Sequence, residues 1–123
     1  MKIIILTPAR NEELTLPIVY ESLKQATFCE ITWYIVENGS SDATFEIANK
    51  FSNTEYLNIN IWHEKVDHEY NVGEVLSNIL ADAFDKIIEL HKNDDIEYFG
   101  IIDADIRFDS GYMEQLMKAF LDD

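Results

Sequence analysis

The sequence contains few cysteine and few basic residues, and these two shortages exclude several classes of protein. Cys29 is the single cysteine among 123 residues, which excludes an internal disulfide framework and a multi-cysteine metal site. Lysine and arginine together number 9 against 24 aspartate and glutamate residues, giving a formal net charge of -15. A field of that sign repels nucleic acid and anionic membrane surfaces, so neither is expected as a partner.

Long apolar runs are also missing. No window approaches the roughly 20 apolar residues that a membrane span needs. The apolar run Ile3–Leu6 is ended by Thr7 and Pro8, which makes it too short for a signal peptide. We therefore expect a soluble, cytoplasmic chain. Hydrophobic residues still make up 47% of the sequence, enough for the core of one compact domain covering residues 1–123.

Short apolar runs alternate with helical patterns along the chain. Strands are predicted at residues 2–7, 31–36, 56–62 and 98–102. Helices are predicted to begin at Thr15, at Ser41 or Asp42, near residue 75, and at Asp109 or Ser110. The third strand alternates apolar and polar residues, which favours a place near an edge of the sheet. This order predicts an α/β domain with a mainly parallel sheet, flanking helices and right-handed crossovers.

Polar residues follow three of the predicted strands. Residues 7–12 follow the first, residues 37–42 the second, and residues 103–105 the fourth. Ligands of parallel α/β sheets bind beyond the carboxyl ends of the strands, near the switch in strand order. The sequence therefore predicts a ligand site where these three segments meet.

Asp103-Ala104-Asp105 is a candidate cation site. Its two carboxylates end a buried strand, and Ala104 between them is expected to leave room for a bulky ligand. Hard cations such as Mg²⁺ or Mn²⁺ take oxygen ligands of this kind. A cation would also let so acidic a chain bind a nucleotide diphosphate. The alternative for this common tripeptide is a loop carboxylate that caps the next helix.

Residues 36–44, Val-Glu-Asn-Gly-Ser-Ser-Asp-Ala-Thr, form a predicted turn between strand and helix. Gly39 permits positive φ, and Ser41 or Asp42 is suited to capping. Glu37 and Asn38 end the strand, where they could hydrogen-bond the edge of a nucleobase.

Taken together, three motifs resemble the nucleotide-binding half of the family 2 glycosyltransferases, whose fold is called GT-A and is Rossmann-like. Thr-Pro-Ala-Arg-Asn-Glu-Glu at residues 7–13 is similar to a family pattern Pro-x-Tyr-Asn-Glu. Residues 36–44 resemble Val-Asp-Asp-Gly-Ser-x-Asp-x-Thr, and Ile-Ile-Asp-Ala-Asp at residues 101–105 resembles the family's metal motif. The resemblance covers nearly the whole chain.

The resemblance implies a role for individual residues. Residues Pro8, Ala9 and Arg10 would line the nucleoside pocket, with Glu12 reaching the ribose or base. Glu37 and Asn38 would contact the base or ribose. Asp103 would lie near the ribose or a metal-bound water, and Asp105 would ligate Mg²⁺ or Mn²⁺ on the diphosphate.

The implied activity is metal-dependent transfer of a sugar from a nucleotide-diphosphate donor to an unknown acceptor, with inversion at the anomeric carbon. In the family the general base lies well beyond the Asp-x-Asp motif, so it is expected beyond Asp123. We therefore expect a truncated chain that binds the donor, lacks the acceptor-binding part, and is inactive alone. An unfinished sheet edge could also drive self-association.

Several residues depart from the family patterns. Arg10 replaces a frequent tyrosine, and Glu37-Asn38 replaces the commoner pair of aspartates. Glu74, Val75 and Ser77 stand where basic residues near the diphosphate are usual. Two alternatives stay open: a non-catalytic nucleotide-binding or interaction module of the same fold, and a receiver-like signalling domain. His63 and His68 are interpreted as residues of a solvated loop.

Overall fold

A computed structural model describes residues 2–27, 29–63 and 72–104, without the side chains of residues 72–79. The elements in chain order are β1 (Lys2–Ala9), α1 (Leu16–Lys24), β2 (Glu30–Glu37), α2 (Thr44–Asn49), β3 (Leu57–His63), α3 (Val72–Leu90) and β4 (Tyr98–Ile101). The strands form a four-stranded sheet in the order β3-β2-β1-β4, and every pairing is parallel. The predicted α/β class with a parallel sheet is confirmed.

The strand order contradicts the receiver-like alternative. Receiver domains have the order 2-1-3-4-5, in which the third strand lies beside the first. Here β4 lies beside β1, and β3 lies beyond β2. β3 is thus an edge strand of the described sheet, as its alternating pattern predicts.

Both faces of the sheet are buried, which explains why the first two strands read as continuous apolar runs. One face packs against α1 and the α2 region; its core includes Ile3, Ile5, Val19, Leu23, Trp33 and Ile35. The other face packs against α3; its core includes Ile4, Leu6, Tyr34, Val36, Ala83 and Ile87. Successive residues of β1 and β2 therefore contribute to opposite layers.

An aromatic stack fixes α1 against the sheet. The ring of Tyr20 stacks on Phe51 with centroids 4.1 Å apart, and Trp33 stacks on Phe51 at 5.9 Å. The indole Nε1 of Trp33 donates a 2.8 Å hydrogen bond to Thr7 Oγ1, and both residues have 0% exposure. Thr7 thus satisfies the buried indole N–H that this packing would otherwise leave without a partner.

Several boundaries differ from the predictions. β1 extends to Ala9 because Thr7 and Pro8 keep their parallel pairing with Ile35 and Val36. α2 begins at Thr44 with Ala43 at the N-cap position, one residue after Asp42, whose Oδ1 nevertheless accepts from Thr44 N–H at 2.9 Å. α3 begins at Val72, three residues before its predicted start. The helix predicted from Asp109 or Ser110 lies outside the described residues.

No helix in the described part of the chain is long and apolar enough to cross a membrane. Four large apolar side chains in the described parts of α3 and β4 are nevertheless exposed: Phe84 by 41%, Ile88 by 50%, Leu90 by 63% and Ile101 by 54%. Self-association stays a prediction.

Two cavities of about 330 and 320 Å³ open at the amino edge of the sheet, and His91 lines both. There Tyr34 Oη and His91 Nε2 are 2.7 Å apart, and His91 Nδ1 is 2.7 Å from Asp94 Oδ2. Burial, and next the charge of Asp94, raise the pKa of Tyr34 above its ordinary value. This network joins α3 to the sheet at the edge opposite the predicted ligand site.

The single thiol supplies a test of the core. Cys29 is 3% exposed, and burial raises its pKa from the ordinary 9.0 to about 11. The native state therefore holds the thiol proton more tightly than the unfolded chain, and this contribution to stability disappears as the pH rises from 9.0 to about 11.

We expect urea titrations of the parent and of a Cys29→Ala variant to show a stability difference that shrinks over this alkaline range. The variant is the control, because tyrosines and lysines titrate equally in both chains. A difference that stayed constant would contradict a buried thiol.

Candidate functional site

All four strands run in parallel, so their carboxyl ends form one edge of the sheet. Ala9 pairs with Glu37, Glu37 pairs with His63, and Ile101 pairs with Leu6 near the end of β1. The chain reverses its direction of strand addition between β1 and β4, which is the switch point where α/β ligands bind. The predicted site segments therefore do meet at one edge, with the end of β1 between those that follow β2 and β4.

The loops that follow β1 and β2 are joined by side-chain hydrogen bonds. Asn11 adopts φ of 56°, and its Oδ1 accepts from Ser41 N at 2.8 Å and from Ser41 Oγ at 3.2 Å. Its backbone N–H donates to Ser40 Oγ at 3.0 Å. Asparagine tolerates left-handed backbone better than most residues, so one residue both turns the chain and joins the loops.

A second set of bonds joins the starts of α1 and α2. Glu12 N–H donates to Thr44 Oγ1 at 2.8 Å, and Ala43 N–H donates to Glu13 Oε2 at 3.2 Å. Desolvation would raise the pKa of Asp42, but hydrogen bonds from Thr44 and the backbone N–H of Glu13 outweigh it and hold that pKa below its ordinary value. The carboxylates of Glu13 and Asp42 thus accept hydrogen bonds from N–H groups at the start of α2, where the helix offers no acceptors of its own.

Glu37 is the most deeply buried acidic residue of the edge. It has 0% exposure, and its Oε1 accepts from Ser40 N–H at 2.5 Å. Its Oε2 is hydrogen-bonded to His63 Nδ1. The side chain predicted to contact a base or ribose therefore lies beneath the turn and supports it.

Asn38 is 6% exposed and differs from Glu37 in one respect. Its backbone N–H donates to Ala9 O at 2.9 Å, but its buried Oδ1 has no hydrogen-bond partner within the described structure. A buried acceptor without a donor costs on the order of 1–3 kcal/mol, so native proteins rarely keep one without a reason. Among the described site residues, Asn38 is thus the one with a buried side-chain oxygen that has no hydrogen-bond donor.

The segment after β1 is only partly open. Pro8 is half-buried, whereas Ala9 is 2% exposed and belongs to the core, so its carbonyl rather than its methyl group faces the loop through Asn38. Arg10 is exposed. Glu12 is half-buried, and its Oε2 accepts from Thr15 Oγ1 at 2.7 Å.

Asp103 is exposed and follows β4 at the same edge. Ala104 is 3% exposed and packs in the core on the α1 side, so it does not provide the open space that its small size suggested. It instead lets the chain after β4 pass close to the sheet. Asp105, the predicted metal ligand, lies outside the described residues.

In the ranges that the structure describes, no three His, Cys, Asp or Glu side chains converge as a metal-binding group. Asp103 offers the oxygen chemistry that Mg²⁺ and Mn²⁺ prefer, from an exposed carboxylate at the switch point. That donor is compatible with the predicted cation.

The sequence pattern did not indicate that His63 lies at this edge of the sheet. It was assigned to a solvated loop, but it is the last residue of β3 and is bonded to Glu37. Its ring also packs on Phe45, with centroids 4.8 Å apart. The available signal was the parallel register, which places the ends of adjacent strands side by side.

The loop junction gives a prediction about stability. Replacing Asn11 with alanine removes the acceptor for Ser41 and places a Cβ-bearing residue without a local hydrogen bond at φ of 56°. We expect a loss of about 1–2 kcal/mol in urea unfolding. Asn11→Gly relieves the backbone and should recover part of the loss, while Asn11→Asp keeps the acceptor. Equal stability of all four chains would show that the junction contributes nothing.

Comparison with solved structures places this architecture among known proteins. S. aureus TarS residues 1–349 superimpose with a TM-score of 0.65 at 21% identity, over 99% of this chain and 32% of that one. The same protein in complex with UDP gives 0.64 at 22% identity, and in complex with UDP-GlcNAc 0.63 at 21%. This chain therefore spans about a third of those structures.

Curated proteins give no match. The family described as glycosyl transferase family 2 matches residues 4–123, nearly the whole sequence. It does so across all three motifs at the carboxyl edge of the sheet. The chain therefore belongs to glycosyl transferase family 2, and its described residues form the Rossmann-like, amino-terminal part of a GT-A fold.

Proposed function

We propose that this chain binds the donor of a glycosyltransferase, a uridine diphosphate sugar, at the carboxyl edge of its sheet. The observation that carries the proposal is the buried and unpartnered Oδ1 of Asn38. Uracil presents an N3–H donor between two carbonyl oxygens, so its edge supplies the donor that Oδ1 lacks. Similarity to a protein whose structures contain UDP and UDP-GlcNAc supports this choice of base.

The rest of the edge suits the other parts of such a ligand. Arg10 is exposed beside Asn38, where its guanidinium could stack on a base or meet a phosphate. Pro8 and Ala9 would form the floor of the nucleoside pocket, the latter through its backbone. Glu12 and Asp103 would face the ribose from the two sides of β1. Glu37 would act from beneath by supporting the turn.

The family generally uses a divalent metal, and Asp103 and Asp105 would hold it here. When bound, Mg²⁺ or Mn²⁺ neutralises charge on the nucleotide diphosphate as it leaves. A chain with a net charge of -15 repels a free diphosphate, so it needs such a cation to bind one. The chain's own carboxylates would position the ion at the switch point, and the diphosphate would lie beyond the ends of β1 and β4.

Transfer to an acceptor, with inversion at the anomeric carbon, is the reaction that we propose for the complete enzyme. This chain would supply the donor-binding part of it. The cytoplasmic location also stays a prediction from sequence.

The metal role can be measured by calorimetric titration with UDP in the presence and absence of Mn²⁺. We expect the affinity for UDP to fall at least about tenfold without the ion, and by a similar factor in Asp105→Ala, because the diphosphate then loses its positive partner. A tenfold fall corresponds to about 1.4 kcal/mol of binding free energy. Asp103→Ala should weaken binding less if it acts through a metal-bound water. Asp95→Ala, an acidic residue before β4 at the opposite edge, is the matched control.

Metal-independent binding, or binding unchanged in Asp105→Ala, would refute the metal role. Failure of every nucleotide diphosphate to bind would instead favour the non-catalytic interaction module.

The base contact is tested by comparing UDP with CDP. Cytosine carries a bare acceptor at N3, so it gives Asn38 Oδ1 no donor there, and we expect UDP to bind about tenfold more tightly. Asn38→Ala should remove most of this preference, whereas Asn38→Asp keeps an acceptor and should retain it. An unchanged preference in Asn38→Ala would exclude Asn38 as the base-reading residue.

A further inference from the structure

The loop that carries Asn38 is supported from beneath by a buried carboxylate. Glu37 has 0% exposure, and a buried charge is tolerated only when donors satisfy it. Within the described residues it has two hydrogen-bond partners: Ser40 N–H at 2.5 Å and His63 Nδ1. Ser40 belongs to the loop itself, so His63 is the described partner from outside the loop.

The contact joins a carboxylate oxygen of Glu37 to a ring nitrogen of His63. An ionised carboxylate can only accept, so with Glu37 ionised the proton of this bond lies on Nδ1. The parallel register places His63 directly beside Glu37 at the ends of β3 and β2. The backbone therefore brings the ring to the carboxylate.

His63 also touches the other end of the same loop. Its ring packs on Phe45, with centroids 4.8 Å apart and planes inclined at 51°. Glu37 and Phe45 bracket residues 38–44, so a single imidazole contacts both ends of the segment that presents Asn38. The loop after β1 also holds this segment, through hydrogen bonds of Asn11 and Glu12.

We infer that His63 is a positioning residue for nucleotide recognition, acting through Glu37 and Phe45 to hold Asn38 at the base. The inference rests on the proposed function, because it takes Asn38 as the base contact. His63 itself is 38% exposed at its side chain, and it acts without touching the ligand.

The alternative is that this pair contributes to stability alone, as many partly exposed ion pairs do in a small way. The two roles differ in what they do to base preference. Loss of general stability lowers the folded fraction and so weakens the binding of UDP and of CDP by the same factor. Loss of positioning removes the advantage of UDP over CDP, because that advantage depends on where Oδ1 lies.

A pair of variants separates the donor from the ring. His63→Asn places an amide N–H close to the position of Nδ1, whereas His63→Leu has similar bulk and no donor. We expect the UDP-to-CDP affinity ratio, measured by calorimetry with Mn²⁺, to fall from about tenfold to about twofold or less in His63→Leu. In His63→Asn it should stay within about threefold of the parent ratio.

His63→Leu leaves a buried carboxylate short of a donor and could prevent folding, which circular dichroism would reveal. The double variant Glu37→Met with His63→Leu then replaces both partners by apolar groups, a change that costs far less than removing one. It should fold and lack the UDP preference. In an Asn38→Ala background, His63→Leu should cause no further loss of preference.

The outcomes are distinct. A folded His63→Leu chain with the parent ratio would overturn the role of His63 and leave the proposed function intact. A drop in both affinities with the ratio preserved would assign the pair to stability, which also overturns it. A parent chain that binds no UDP would overturn the proposed function and this inference with it.

Discussion

Strand β1 is hydrogen-bonded on both sides, to β2 along its whole length and to β4 along its middle. Because both pairings are parallel, three strand ends open on one edge and their loops must share the same space. Residues close in sequence contribute little to this contact between loops. The loops after β1 and β2 are joined by hydrogen bonds between residues about 30 positions apart, such as Asn11 and Ser41. The parallel register is the constraint that assembles the site.

The composition of that edge follows from helix geometry as much as from ligand chemistry. β1 and β2 are each followed by a helix whose first N–H groups need acceptors. The backbone carbonyl of Glu12 and the carboxylates of Glu13 and Asp42 supply them. An acidic loop is therefore no sign of a cation by itself. Asn38 differs from these residues because its buried Oδ1 lacks a donor within the described structure, and Asp103 differs because it is exposed.

The sequence predicted the fold class, the four strands and the edge that carries the polar residues, because apolar runs and turn residues determine these locally. It did not predict how individual side chains at that edge are used. Glu37 was expected to face a ligand and lies under the turn, and Ala104 was expected to border open space and lies in the core. His63 was assigned to a loop. The positions of Glu37 and His63 depend on which strands are neighbours, and that pairing brings together residues 26 positions apart in the chain.

Asn38 also says something about the ligand-free protein. A buried carbonyl without a donor is a weakness in an otherwise well-satisfied core, and it would be removed by almost any small apolar residue. Its presence means that the free chain is less stable than its architecture permits. A variant library selected for thermal stability alone would be drawn towards this position and would lose the group that we propose reads the base. Stability and the proposed recognition therefore make opposite demands on this one side chain.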